Sequence, residues 1–126
     1  TGITFAFSFV GDPTPYAVQG VGMQRCDLTA VLQGSDIDPS VQALVLDENS
    51  IGNRIALTCE TYGTGATVDG SKNVLSGISV DAGLGSATDG IVFTASSSDN
   101  VLIGGVLDAF TPITDAGTTN EIAHTV

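Results

Sequence analysis

The stretch VQALVLDENSIGNRIALTCET, residues 41–61, decides the fold class, because its first half supports two readings. Asp38 followed by Pro39 suits a helix N-cap with proline in the first turn, and Val41, Leu44 and Val45 have helical spacing. Against this, Val41 to Leu46 is a short apolar run, and Ile55 to Cys59 is plainly strand-like. A hairpin through the Asp47–Gly52 loop accounts for both halves, so the expected structure is two antiparallel strands.

The rest of the chain reads the same way. Sixteen glycines and four prolines interrupt it too often for long helices, and the segments between them are rich in Val, Ile, Thr and Phe. Strands are expected at Ile3–Val10, Asp27–Leu32, Val74–Val80, Ile91–Ala95 and Val101–Ile103, the last continuing to Val106–Phe110 past a Gly104-Gly105 kink. Ser96 to Asn100 is turn chemistry between two apolar runs. From Thr111 onward a loose surface tail is expected. The fold class that follows is all-β, a small β-sandwich or barrel of short antiparallel strands with an extended N-terminal arm. Residues 1–10 are the arm, and residues 11–126 are a single domain.

Composition narrows the function. Three cations, Arg25, Arg54 and Lys72, stand against eleven Asp and three Glu, for a net charge of −11. Such a surface repels nucleic acid and anionic lipid, both of which are bound through Lys and Arg, so neither is an expected partner. No apolar run approaches the length of a membrane span, and the N-terminal residues lack the basic region of a signal peptide. Cys26 and Cys59 could form one disulfide or be two buried thiols.

Catalytic chemistry finds little to work with. His124 is the single imidazole and sits in the C-terminal tail, and no serine lies in a Gly-x-Ser-x-Gly elbow. The pairs Gly20/Gly22, Gly63/Gly65 and Gly83/Gly85 do not complete a dinucleotide fingerprint. Asp36 with Asp38, and Asp47 with Glu48 and Asn49, lack the spacing of a calcium loop. Neither an enzyme nor a cofactor or metal is expected.

The N-terminal strand is the remaining signal. Ile3, Phe5, Phe7 and Phe9 alternate with smaller residues, and three of the five phenylalanines lie here. An apolar strand so near the chain start must be buried, either in its own sheet or against a neighbouring subunit by strand addition. The expected intersubunit contact is therefore Ile3, Phe5, Phe7 and Phe9.

The acidic, glycine-rich, all-β texture of the whole chain resembles that of bacteriophage head decoration (cement) proteins. The arm Thr1–Val10 and the run from Gly90-Ile-Val-Phe-Thr to Val101-Leu-Ile-Gly-Gly-Val are the closest parts. The resemblance implies a structural virion protein on the capsid exterior, assembled in the host cytoplasm and stabilising the shell. Its partners would be the major capsid protein and further copies of itself, as a trimer. The competing expectation is a secreted or surface β-subunit of pilus or matrix type that polymerises by N-terminal strand exchange; an oxidised Cys pair would favour it, a reduced pair the virion.

Overall fold

A computed structural model describes residues 2–8, 16–33, 42–60, 63–81, 89–109 and 111–123. These residues are all-β, as expected, but they do not form a sandwich or barrel of antiparallel strands. Every strand pair is parallel, and the chain winds as a β-solenoid.

Among the described residues, thirteen strands are divided between two sheets. The first sheet holds β1 (Gly2–Ser8), β3 (Asp27–Gln33), β5 (Arg54–Glu60), β7 (Val74–Ser76) with β8 (Ser79–Asp81), β10 (Val101–Ile103) with β11 (Val106–Asp108), and β13 (Glu121–Ala123). The second holds β2 (Tyr16–Gly20), β4 (Gln42–Leu46), β6 (Thr64–Val68), β9 (Asp89–Phe93) and β12 (Thr111–Asp115). Each coil thus contributes one rung to each sheet. The segment from Thr111, expected as a loose tail, supplies β12 and β13 to the same ladder.

The expected hairpin is corrected by this topology. β4 pairs with β2 and β6, whereas β5 pairs with β3, β7 and β8, so the two halves of residues 41–61 lie in different sheets. The loop between them turns a corner and does not reverse the chain. Ser96 to Asn100 turns the equivalent corner between β9 and β10. Alternation with period two is common to parallel and antiparallel strands, so it could not decide between them.

In-register pairing builds columns of side chains that run along the solenoid. Leu28, Ile55, Leu75, Leu102 and Ile122 form one; Leu32, Cys59, Val80 and Leu107 form another. Across the core, Val18, Leu44, Ala66, Ile91 and Ile113 face them from the second sheet. Beside these, Gly20, Leu46, Val68 and Phe93 share a register position. Full burial of each Leu, Ile or Phe contributes about 1.5–3 kcal/mol, so the columns are the main source of cohesion. β4, β6 and β9 share one pattern in which two consecutive residues are buried, Ala43-Leu44, Gly65-Ala66 and Gly90-Ile91. The small first member is required at Gly65, where a Cβ would lie 2.5 Å from the Gly90 carbonyl oxygen and 2.6 Å from Val80.

The kink expected at Gly104-Gly105 is a bulge that recurs one coil earlier. Arg54 and Ile55 pair with Val74 and Leu75, but Thr58 pairs with Ser79, so β7–β8 carries one residue more than β5 at this point. Gly77 and Gly104 adopt φ of 65° and 59° there, and Ile78 turns inward to fill the core.

Candidate functional site

The corner that leads into the first sheet is where the polar chemistry concentrates. Asn53, Asn73 and Asn100 are buried, and with part-buried Asn120 they stack one per coil. Asn73 shows the arrangement. Its Oδ1 accepts from the backbone N–H of Asn53 at 3.0 Å and from Asn53 Nδ2 at 3.0 Å, while its Nδ2 donates to the Ser50 carbonyl at 3.0 Å and to Asn100 Oδ1 at 3.1 Å. Asn100 repeats this with Asn73, the Gly70 carbonyl and Asn120. Asn73 and Asn100 thus each join three coils with their full hydrogen-bonding capacity, and Asn53 does so with three bonds, to the Cys26 N–H, the Met23 carbonyl and Asn73, which is what makes a buried polar group tolerable.

The ladder ends at Cys26, whose N–H donates to Asn53 Oδ1 at 2.9 Å and whose thiol points back to the Gln24 carbonyl. The residue before each member turns the chain with positive φ: Arg25 at 55°, Gly52 at 74°, Lys72 at 57°, Asp99 at 55° and Thr119 at 55°. Four non-glycine residues in this conformation carry strain that the ladder holds in place.

Asp47 closes the same corner from outside. Its Oδ1 accepts from the N–H of Gly22 at 3.0 Å and from Ser50 Oγ at 2.8 Å. The Gly22 N–H is the main reason that its carboxyl titrates below the ordinary Asp value, with Ser50 and Asn49 adding to the effect and burial opposing it. A depressed folded-state value contributes stability above the unfolded value, which is lost as pH falls through the folded one. Melting temperature measured from about pH 5 down to about pH 2 should therefore fall more steeply for the wild type than for Asp47→Asn, which has no carboxylate to protonate.

The two cysteines are free. Cys59 sits in register with Leu32, six residues along the neighbouring strand from Cys26. At about 3.3 Å per residue that is a separation of roughly 20 Å, whereas a disulfide requires Cα atoms within about 7 Å. Burial pushes the Cys59 thiol up to about 12. A thiol reagent added to the folded protein should modify Cys26 quickly and Cys59 only after denaturant is added; two fast thiols would contradict this placement.

The outer face of the first sheet is the second polar feature. Its outward positions form four columns: Asp27, Arg54, Val74, Val101 and Glu121; then Thr29, Ala56, Ser76, Ile103 and Ala123; then Val31, Thr58, Ser79 and Val106; and finally Glu60, Asp81 and Asp108. All three cations of the chain, exposed Arg25, Arg54 and Lys72, lie at or beside the first column on consecutive coils. Asp27 is in register with Arg54, and Asp99 follows Lys72 at the corner. The fourth column carries three carboxylates on neighbouring strands. Val31, Ile103 and Val106, between these edges, are 49%, 50% and 65% exposed.

Ile3, Phe5 and Phe7 lie in β1, at the register positions of Leu28, Ala30 and Leu32, so the N-terminal strand pairs in parallel with β3 of its own chain. Phe9, His124, Asp36, Asp38 and the Gly83/Gly85 pair lie outside the described residues. Among the described residues no three His, Cys, Asp or Glu side chains are grouped to hold a metal ion, and no helix is long and apolar enough to cross a membrane.

The asparagine ladder escaped the sequence reading, although a signal for it exists. Asn53-Arg-Ile55, Asn73-Val-Leu75, Asn100-Val-Leu102 and Asn120-Glu-Ile122 repeat Asn-x-aliphatic at spacings of 20, 27 and 20 residues. Two coils together make a regular 47-residue unit, which single-coil intervals conceal. No protein-family model, curated protein or solved structure matches the chain.

Proposed function

We propose that this chain is a structural protein, a stiff solenoid that binds other protein chains through its faces and end rungs and performs no reaction of its own. The observation that supports the reading is the unbroken stacking of polar and aliphatic columns across the coils, which fixes each rung against the next and suits a part that bears load. In its specific form the proposal keeps the setting implied by the resemblance: the capsid exterior of a phage, with the major capsid protein and further copies of this chain as partners. The resemblance was to the texture of a compact β-domain and the fold is a parallel solenoid, so the setting now rests on surface chemistry. An acidic exterior avoids nucleic acid, and only three cations are available for an electrostatic contact.

Apolar and main-chain contacts would then supply the affinity, and moderate salt should leave binding intact. Adding the purified protein to undecorated capsids tests this. Saturation of a symmetric set of sites together with a higher temperature of DNA release supports the reading, as expected for a ligand of the intact shell. Absence of binding contradicts it.

A second reading is favoured by one observation. β1 and β13 are the outermost strands of the first sheet, and a parallel rung on either would continue its hydrogen-bond ladder. A surface subunit that polymerises through residues 1–10 would use that edge, with Ile3, Phe5, Phe7 and Phe9 as the intersubunit contact. Filaments from the purified protein that vanish when residues 1–10 are deleted would support this second reading over the capsid one.

A further inference from the structure

We draw no further inference here: the strongest candidate, the outer face of the first sheet with Val31, Ile103 and Val106 exposed on it, carries nothing, because Asp27, Asp99 and Glu121 share the edge of Arg25, Arg54 and Lys72 and nothing in the structure shows what covers it.

Discussion

Asn73→Ala should destabilise the protein by about 3 kcal/mol, measured as a shift in the urea midpoint with unchanged slope. The Asn53 N–H loses its acceptor and is left buried without a partner, at a cost of about 1–3 kcal/mol. The bonds to the Ser50 carbonyl and Asn100 Oδ1 are lost as well, and a small cavity remains. Because small domains retain only about 5–15 kcal/mol, this is a large fraction of the total. Asn73→Asp should be no better: it keeps the acceptor but turns a carboxylate oxygen toward the Ser50 carbonyl and Asn100 Oδ1. Asn120→Ala likewise removes the acceptor of the Asn100 N–H, but at this part-buried end of the ladder water can replace it, so the cost should be only about 1 kcal/mol. Equal effects at positions 73 and 120 would show that the ladder does not act as a buried stack.

Gly70→Ala should be at least as damaging, at about 3 kcal/mol or more, through contact with main chain that has no room to move. Its Cβ would fall 2.0 Å from the Ser50 carbonyl oxygen and 2.9 Å from that of Asp47. Relieving the overlap separates two coils at the corner, where the Gly70 carbonyl accepts from Asn100 Nδ2 at 2.9 Å and Ser71 donates to the Ser50 carbonyl at 3.3 Å. Gly52→Ala is the control. There φ is 74° but the nearest atom to a Cβ is 3.9 Å away, so only the backbone penalty of about 1 kcal/mol applies. A Gly70→Ala cost no larger than that of Gly52→Ala, in the same urea titration, would mean that the coils are not packed so closely.

These two residues also show what the sequence could and could not convey. Alternating apolar residues such as Ile55, Leu57 and Cys59 identify a strand and its buried face, and that much was legible. Which strand lies beside it depends on the corner. There Asp47 to Asn53 has the composition of a hairpin loop, yet its hydrogen bonds run to the preceding and following coils. From the β4–β5 corner onward, seven-residue and five-residue corners alternate, with Ser50 and Ser97 in the long ones and Gly70 and Gly117 in the short ones. This alternation hid the repeat from a reading based on neighbouring segments.

The outer face was less legible still. Arg25, Arg54 and Lys72 are scattered over 48 residues of sequence and meet only because the coils stack in register. The same stacking brings Glu60, Asp81 and Asp108 into one column. The N-terminal strand, singled out for its phenylalanines, was recognised as a strand; its parallel partner β3 carries no local signature in either segment.

The central claim, a parallel in-register solenoid, is tested most directly by spin-label distances. In a Cys26→Ser background, which leaves only the buried Cys59 thiol, one label is fixed at Asp27→Cys and the second placed in turn at Val74→Cys, Val101→Cys or Glu121→Cys. Spin dilution with unlabelled protein removes distances between chains. The account predicts backbone separations of about 10, 14 and 19 Å, a steady increment of one strand spacing per coil. Separations that fail to rise in that order, as antiparallel packing of the same strands would give, contradict it.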